Sequence, residues 1–488
     1  MTELTTLSQL QGWTPYPHQI ETAKRVLFEM NGRALIADEV GLGKTIEAGL
    51  IASEMHHRGI LKKALILVPS SLVFQWAREL HSKFGLPVTV FRKSYMWDYC
   101  PIVIASLETA KRGMHRLLIL QQTYDLLIID EAHKLKNPAS TNHKFVRDIS
   151  SRNCILLTAT PLQNEITELH HLISLVQPET QQNEKNFRAN FQSGKRGIKN
   201  EERLREQLTT VLVRNRRVDA GLNLPDRTVE QIQVRLSSAE LTLYEAVSDW
   251  VAKRAKTLQS KREQLTLMMI QREVCSSRDA LFLTLVKWYG QLEAHQELRN
   301  EIWPLIQAIK EVRRSSKSNA LLPILSKNNE KTVIFTAFRA TQEHIIAHLQ
   351  ANGISAVAFY GKMNRGKRDW MIDLFKNRVQ VLVATDAGSE GLNLQFCRNV
   401  LNYDLPWNPM RLEQRIGRVH RIGQTEPVRV THLVVENSIE AYILNVLSEK
   451  TKMIESLFGK GDPVVHQWYK EWLSWRTLQQ TSRSASHG

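Results

Sequence analysis

A short segment near the N-terminus combines glycine, lysine and threonine in a spacing that suits phosphate binding. Residues 38–45 read DEVGLGKT and stand between the apolar run 33–37 and a stretch of helical character that begins near Ile46. A glycine-rich turn between a strand and a helix lets backbone N–H groups face phosphate oxygens. Lys44 would then reach the β- and γ-phosphates of a nucleotide, and the Thr45 hydroxyl would bind Mg²⁺. Taken alone, the same pattern also fits an ordinary connection between a strand and a helix.

The glycines of this segment differ from the usual phosphate-loop pattern at one place. Gly41 and Gly43 supply the turn, but Asp38 stands where the pattern normally has its first glycine. Because the pattern is incomplete, it does not by itself establish a nucleotide site. The candidate residues of this segment are Asp38, Gly41, Gly43, Lys44 and Thr45.

A second acidic motif follows within the same part of the chain. Residues 125–133 read DLLIIDEAH, which places Asp130 and Glu131 at the carboxyl end of a buried apolar strand. Carboxylates are costly there unless they serve a metal or a reaction. Asp130 would hold Mg²⁺, and Glu131 would orient and deprotonate an attacking water. An acidic pair that caps a surface turn is the common alternative, but it does not explain why the pair follows a phosphate loop.

The elements that must position these residues are strands of two parallel sheets. Short, nearly continuous apolar runs alternate with helical stretches, as expected for strands that are covered on both faces. The first series comprises 33–37, 64–68, 101–105, 125–129 and 154–158, and the second comprises 332–337, 355–359, 380–385, 398–403 and 429–434. The pattern predicts two α/β domains in tandem, with helical insertions between them.

The segment between the two series lacks such runs and is rich in Leu, Glu, Gln, Lys and Arg. We expect residues 1–212 to form the N-terminal domain, with a helical protrusion after about residue 164, and residues 321–450 to form the C-terminal domain. An interdomain linker at 213–235 and a helical insertion at 236–320 are expected between them. Residues 451–488 are expected to form a C-terminal helix and a flexible tail.

Composition limits the class of protein and its partners. The 488 residues are 42% hydrophobic and carry a net charge of +16, which indicates a folded, soluble protein that attracts polyanions. A generically basic surface is the alternative to a nucleic-acid or membrane partner. The four cysteines stand far apart, so neither a zinc site nor a disulfide framework is expected. Because no apolar run approaches the length of a membrane span, we expect a cytoplasmic, nucleoid-associated protein with no membrane partner.

The motifs occur in an order that resembles a known family. DEVGLGKT, DEAH and LTATPLQN in the first half, with VIFTAF, VATDAGSEGLNLQ and QRIGRVHRIGQ in the second, resemble the motor motifs of superfamily-two nucleic-acid ATPases. Residues 213–244 and the RIGQ sequence resemble the Swi/Snf-type translocases. The segment DEVGLGKTIEAGLI makes the bacterial RapA-like branch the nearest likeness. The resemblance covers roughly residues 13–450 and points to a bacterium or its phage.

The resemblance implies two RecA-like lobes that bind ATP with Mg²⁺ and move along duplex nucleic acid. It implies that Gln19 recognises adenine and that Arg418 and Arg421 act as arginine fingers from the second lobe. Either arginine could instead pair with surface acids. Three further residues are implied near the γ-phosphate, namely Gly388, Glu390 and Gln414.

Contacts to the nucleic-acid backbone are also implied by the resemblance. They fall on loop residues whose small hydroxyls or amides suit phosphates, namely Ser71, Gln75, Ser106, Thr336 and Thr385. Each of these could equally be a helix cap. Basic residues of the helical insertion would widen the same surface, or would simply form a solvated face; they are Lys253, Arg254, Lys256, Lys261, Arg262 and Arg272.

The function expected from these patterns is that of an ATP-driven translocase on double-stranded DNA, with RNA-containing duplexes left open as substrates. Such an enzyme would displace or reposition bound protein, as the motor of a larger complex. A strand-separating helicase is the nearest alternative. An ATP-gated clamp that binds DNA or a polymerase and hydrolyses ATP slowly is the alternative from another class.

Overall fold

The chain folds as two compact units, Met1–Asn223 and Leu224–Ser448. The computed structural model describes residues 3–447, except residues 11, 160, 163–164, 179–182, 194–196, 218, 222–223, 258–260, 292–295, 328, 390–391 and 445. The prediction of two α/β domains with parallel sheets is confirmed. The predicted C-terminal helix and tail at 451–488 lie outside the described residues.

The first unit is built on a seven-stranded parallel sheet with the order β3-β4-β2-β5-β6-β1-β9. Its strands are β1 Arg33–Ile36, β2 Ala64–Val68, β3 Val88–Val90, β4 Ile102–Ser106, β5 Thr123–Ile129, β6 Ser150–Leu157 and β9 Leu212–Val213. A short antiparallel pair, β7 Gln192–Ser193 and β8 Gly197–Ile198, lies outside this sheet. The five predicted strands are present, and the sequence patterns missed β3 and β9, which form the two edges.

Helices cover both faces of the first sheet, and each face buries its own apolar cluster. They are α1 Pro17–Lys24, α2 Lys44–His57, α3 Val73–Phe84, α4 Met96–Tyr99, α5 Leu107–Ala110, α6 Gly113–Leu120, α7 Thr141–Arg147, α8 Thr167–Val176, α9 Glu184–Phe191 and α10 Glu201–Thr209. Because β2 and β4 are buried along their whole length, continuous apolar sequence is the pattern that these strands require.

The second unit contains a six-stranded parallel sheet with the order β10-β15-β14-β11-β13-β12. Its strands are β10 Arg227–Val234, β11 Thr332–Thr336, β12 Ala356–Phe359, β13 Val381–Thr385, β14 Asn399–Asn402 and β15 Val428–Val435. The last five were predicted from their apolar runs. β10 falls in the segment that the sequence assigned to the linker, and it pairs with β15 at the edge of the sheet.

Helices of the second unit form two groups. Four long helices bury an apolar cluster of their own, namely α11 Ser238–Thr257, α12 Lys261–Ser276, α13 Arg278–Gln291 and α14 Gln296–Glu311. The others are α15 Ser316–Asn319, α16 Leu321–Ser326, α17 Arg339–Ala351, α18 Arg365–Asn377, α19 Asp386–Ser389 and α20 Pro409–Ile416. In the part of the chain that the structure describes, no helix combines the length and apolar character needed to cross a bilayer.

One buried carboxylate contributes to the attachment of the N-terminal segment to the first unit. Glu54 of α2 accepts hydrogen bonds from the backbone N–H and hydroxyl of Thr5, from those of Thr6, and from Arg58 Nε, at distances of 2.7–3.1 Å. Burial by itself raises the pKa of Glu54, but the donors of Thr6, Thr5 and Arg58 outweigh it and lower the pKa to about 2. The charged form of Glu54 therefore stabilises the folded unit.

Replacing Glu54 by glutamine is expected to lower the free energy of unfolding by about 2–3 kcal/mol at neutral pH. A depressed pKa contributes stability above the unfolded value of 4.5. This contribution disappears as the pH falls towards about 2. The difference in Tm between the two proteins should accordingly shrink between pH 7 and pH 3. Glu29→Gln, at a carboxylate whose side chain is 65% exposed, is the matched control. An equal difference at both pH values would contradict the prediction.

Candidate functional site

The predicted phosphate loop joins β1 to α2, and two glycines shape it. Gly41 and Gly43 have φ angles of 95° and 91°, a region that favours glycine. A Cβ on Gly43 would also lie 2.5 Å from the Gln19 amide nitrogen. Both glycines are thus required by the backbone, and the loop delivers Lys44 and Thr45 to the N-terminus of α2, the end of a helix that attracts anions.

The Lys44 ammonium rests on the loop that precedes it. It donates to the carbonyl oxygens of Asp38 and Glu39 at 2.7 and 3.2 Å. Burial lowers the pKa of Lys44, and the nearby carboxylates of Asp38, Glu47, Glu131 and Asp130 oppose that shift. The predicted lysine and the predicted acidic pair are therefore close enough to interact electrostatically.

Asp130 and Glu131 follow β5 at the carboxyl edge of the first sheet. Burial and the adjacent Glu131 carboxylate raise the pKa of Asp130 to about 7. The Glu131 N–H, Lys44 and the indole N–H of Trp76 lower the pKa but do not outweigh that rise. Trp76 Nε1 lies 3.2 Å from Asp130 Oδ2, and the Glu131 N–H lies 2.8 Å from Oδ1. Two acids side by side in a partly buried place indicate a site that receives a cation.

The backbone of Glu131 is strained. Its φ of 53° is left-handed, which is uncommon outside glycine and concentrates at functional sites. Its carboxylate lies 3.1 Å from His133 Nδ1 of the same DEAH sequence. The left-handed backbone conformation thus falls on a residue that the sequence predicts to be catalytic.

The predicted metal ligands have the chemistry that Mg²⁺ requires. Mg²⁺ prefers a few hard oxygen ligands together with substrate phosphates. Thr45 supplies a hydroxyl and Asp130 a carboxylate. Burial and the neighbouring Glu131 carboxylate raise the pKa of Asp130, and a bound cation would oppose that shift. These two residues fit the ion.

Gln19, predicted to recognise adenine, lies in α1 against the phosphate loop. Its amide nitrogen donates to the Leu42 carbonyl at 2.8 Å, and its amide oxygen accepts the Tyr16 N–H at 3.0 Å. The neighbouring His18 Nε2 lies 3.0 Å from the same Leu42 oxygen. The side chain is therefore attached to the loop, and the structure places the predicted adenine contact next to the predicted phosphate contacts.

A buried group of titratable residues lies beneath the loop and was not predicted. Single ligand atoms of His18, Asp38 and Glu47 all lie within 4.8 Å of one another. Burial and then the Asp38 carboxylate raise the pKa of Glu47 well above its usual range. The charged form of Glu47 is therefore disfavoured in this buried group.

Sequence reasoning also missed what holds Asp38. Asn215, which the sequence assigned to the linker, donates through its backbone N–H and its amide to the two oxygens of Asp38, at 2.9 Å each. The basic sequence VRNRR at 213–217 signals a special segment, but it does not say which loop the segment contacts. Asp38 thus has a structural role in the loop, which accounts for its departure from the usual pattern.

In the second unit, the two predicted motifs at 383–395 and 414–424 are fixed to each other. Arg415 is buried and donates to Asp386 at 2.7 Å, to Asn402 at 2.9 Å and to the Asp404 carbonyl at 2.7 Å. The Leu394 N–H donates to the Arg418 carbonyl at 2.9 Å. Hydrogen bonds therefore tie the backbone around the predicted arginine fingers to the 383–395 motif.

The remaining predicted nucleotide residues of this unit have different surroundings. Arg418, Arg421 and Gln414 are half-buried, and their positions follow or belong to α20. Gly388 is buried, and a Cβ there would lie 2.6 Å from the Tyr360 Cα, so close packing requires glycine at this position. Glu390 lies outside the described residues.

Three of the five predicted nucleic-acid residues lie at the carboxyl ends of parallel strands, whereas Ser71 and Gln75 lie near the start of α3. Ser106, Thr336 and Thr385 are the last residues of β4, β11 and β13. All three are buried. Ser106 caps α5 through Thr109, and the Thr336 hydroxyl donates to Asp404 at 2.5 Å.

The other two candidates lie nearer the surface. Ser71 is exposed, and the half-buried Gln75 donates to Glu79 at 2.8 Å. Ser71 is thus the member of the set whose hydroxyl is most accessible, whereas Ser106 has the helix-cap role that the sequence left open.

The basic residues of the helical insertion are used in part within their own unit. Lys253 pairs with Glu301 at 3.1 Å, and Arg272 donates to the Leu405 carbonyl at 3.0 Å and lies over the Phe338 ring. The side chains of Lys256, Lys261 and Arg262 lie outside the described residues. The geometry of Arg272 therefore favours a packing role.

Comparison with known proteins identifies relatives for both units. Residues 18–280 match the SNF2-related domain, and residues 316–423 match the helicase conserved C-terminal domain. A protein of Bacillus subtilis named uncharacterized ATP-dependent helicase YqhH is 46% identical over 458 residues, which cover 93% of this chain and 82% of that protein. RNA polymerase-associated protein RapA of Yersinia enterocolitica is 26% identical over 517 residues, covering 94% of this chain and 51% of RapA.

A solved structure supports the fold. The Hef helicase domain of Pyrococcus furiosus superposes with a TM-score of 0.51 at 20% sequence identity, covering 87% of this chain and 97% of that domain. The chain spans about half the length of the RapA relatives that it matches.

Proposed function

The chain belongs to the SNF2-related family and is a nucleic-acid-dependent ATPase, and from that premise we propose that it moves along double-stranded DNA and displaces or repositions bound protein. The observation that supports the ATP site best is the electrostatic proximity of Lys44 to Asp130 and Glu131. A phosphate-binding cation and a pair of acids at one sheet edge are the arrangement that phosphoryl transfer to water requires.

The first unit supplies the groups that bind the triphosphate and activate water. On nucleotide binding, Lys44 leaves the Asp38 and Glu39 carbonyls and donates to the β- and γ-phosphate oxygens. Gln19 holds the adenine side of the loop. Glu131 accepts a proton from the water that attacks the γ-phosphorus, and the bond to the β–γ bridging oxygen breaks.

Charge neutralisation completes the proposed chemistry. A Mg²⁺ ion held by Thr45 and Asp130 would neutralise phosphate oxygens of the bound nucleotide. We propose that Arg418 and Arg421 donate to the oxygens of the transferred phosphoryl group, with Gln414, Gly388 and Glu390 near the γ-phosphate. A guanidinium group suits this task because its planar donors match phosphate oxygens in pairs.

Duplex DNA is the proposed track. The net charge of +16 favours a polyanion. Backbone contacts are proposed from Ser106, Thr336 and Thr385 at strand ends and from Ser71 and Gln75 near the start of α3. We place the protein in the cytoplasm with the nucleoid, where a partner complex supplies targeting. RNA-containing duplexes are a second substrate class for the same backbone contacts.

Steady-state ATP hydrolysis with and without duplex DNA tests the proposal. A translocase should be stimulated severalfold, whereas a clamp with slow hydrolysis should respond much less. Displacement of a triplex-forming strand from a duplex reports translocation, and unwinding of a forked duplex reports strand separation. Triplex displacement without fork unwinding is the expected result. Fork unwinding at the same rate would favour the helicase instead.

Binding to DNA through phosphates has a further signature. For about six phosphate contacts, affinity should fall on the order of a thousandfold between 50 and 200 mM salt. An unrelated duplex of equal length should bind equally well, because backbone contacts carry no sequence information. A flat salt response would contradict the proposed interface.

A further inference from the structure

Residues 214–217, read as RNRR and here named the strap, follow β9 and lie along the phosphate loop. The Asn215 N–H and amide donate to Asp38, the amide also donates to the Thr22 hydroxyl at 2.8 Å, and the Asn215 carbonyl accepts the Glu39 N–H at 3.2 Å. Arg214 Nη1 donates to the Ala37 carbonyl at 3.1 Å. Hydrogen bonds from the strap therefore reach three successive residues of the loop.

Arg217 extends this contact to the next loop residue. Its Nε and Nη2 donate to the Val40 carbonyl at 3.1 and 2.5 Å, and its backbone N–H donates to the Glu39 carboxylate at 3.0 Å. Arg217 is only 6% exposed, so these bonds form largely away from water. Because Lys44 rests on the Asp38 and Glu39 carbonyls, the strap acts on Lys44 through the residues that support it.

The chain that leaves the strap reaches the arginine motif of the second unit. Eight residues after Arg217, the Pro225 carbonyl lies 2.9 Å from His420 Nε2. Two residues further, the buried Arg227 forms a two-bond pair with Glu413 at 2.9 and 3.2 Å. His420 stands between Arg418 and Arg421 in the sequence, so the far end of this short connection is attached to the predicted finger motif.

We propose that Asn215 and Arg217 are positioning residues of the ATP site, and that the connection 218–224 couples the phosphate loop of the first unit to the arginine motif of the second. This inference rests on the proposed ATP site. The strap fixes the loop in a conformation that receives phosphate. Because the connection is only seven residues long, it limits how far its two attachments can separate, and this limit is the proposed route of coupling.

A charge exchange between Asn215 and Asp38 tests the positioning role. Asn215→Asp places two carboxylates at hydrogen-bond distance and should weaken ATP binding about tenfold or more, measured as the Kd of a fluorescent ATP analogue. The double variant Asp38→Asn with Asn215→Asp restores an amide opposite a carboxylate and should recover at least half of that loss on a logarithmic scale. A merely structural strap would lower Tm without this pairwise recovery.

Variants of Arg217 test the positioning role independently if the Asn215 variant folds poorly. Arg217→Ala should weaken ATP binding more than Arg217→Lys, because lysine keeps one donor for the Val40 carbonyl. Lys44→Ala serves as the reference for the ATP affinity of a protein whose phosphate site is disabled. If the unmodified protein does not bind ATP, the proposed ATPase is wrong. If it binds and the strap variants bind equally well, the strap inference is wrong.

Lengthening the connection tests the coupling. Insertion of Gly-Ser-Gly-Ser after Gly221 should reduce duplex-stimulated hydrolysis about tenfold, while the Kd for ATP stays within about twofold. Gly221 has a φ of 62° and open space around it, and so does Gly59, where φ is 74° and the same insertion serves as the control. Equal stimulation of the two insertion variants would overturn the coupling.

Discussion

Glu131→Gln is expected to bind ATP as the unmodified protein does and to hydrolyse it about a hundredfold to ten-thousandfold more slowly. Glutamine keeps the shape of glutamate and adds no backbone strain at a φ of 53°. It cannot accept a proton from water, so only the chemical step should suffer. The variant should therefore lower the hydrolysis rate and leave the affinity for ATP unchanged.

Single-turnover hydrolysis and equilibrium nucleotide binding measure the two steps separately. Glu21→Gln, at an exposed position of the same unit, is the control and should match the unmodified protein. Asp130 is the proposed ligand of Mg²⁺ and not the base that accepts the proton from water. Asp130→Asn should therefore weaken Mg²⁺-dependent nucleotide binding as well as turnover. Normal turnover by Glu131→Gln would remove this residue from the water-activating role.

The strands that the sequence predicted share one physical property. β2 is buried from end to end and is apolar throughout, as a strand covered on both faces requires. β10 is an edge strand with buried, half-buried and exposed positions, and its sequence RTVEQIQV contains five polar and three apolar side chains. β3 and β9 contain too few residues for any periodicity to show.

The chemistry of the first unit was predictable for a topological reason. Parallel strands end at one edge of a sheet, so motifs that follow β1 and β5 come near each other although about ninety residues separate Lys44 from Asp130. The pairing of Asn215 with Asp38 joins residues 177 positions apart. It depends on β9 lying beside β1, and two strand residues gave no sequence signal for that placement.

Ser106 and Arg272 show where residue type alone is ambiguous. A serine after an apolar run suits both a phosphate contact and a helix cap, and only the 3.1 Å bond from the Thr109 N–H identifies the cap. An arginine on a helix suits both DNA and packing, and only its position over Phe338 identifies the packing. The role of such a residue depends on the side chain or backbone group that it contacts in the folded protein, and the residue type alone does not identify that contact.

Arg418→Ala and Arg421→Ala are each expected to lower kcat by roughly a thousandfold or more, with a modest loss of nucleotide affinity. Charge accumulates on the phosphoryl oxygens as the bond to the leaving group breaks, so a guanidinium group stabilises the transition state more than bound ATP. Lysine at either position keeps the charge but not the paired donors, and should restore only part of the rate.

Arg378→Ala, at an exposed position of the same unit, is the control and should leave turnover unchanged. Arg415→Ala provides the opposite comparison, because its guanidinium holds Asp386, Asn402 and Asp404 together inside the unit, and its loss should lower Tm. Affinity for ADP with aluminium fluoride, a transition-state analogue, should fall more than affinity for ATP in the two finger variants. Normal hydrolysis by both would mean that the phosphoryl charge is stabilised by groups other than these arginines.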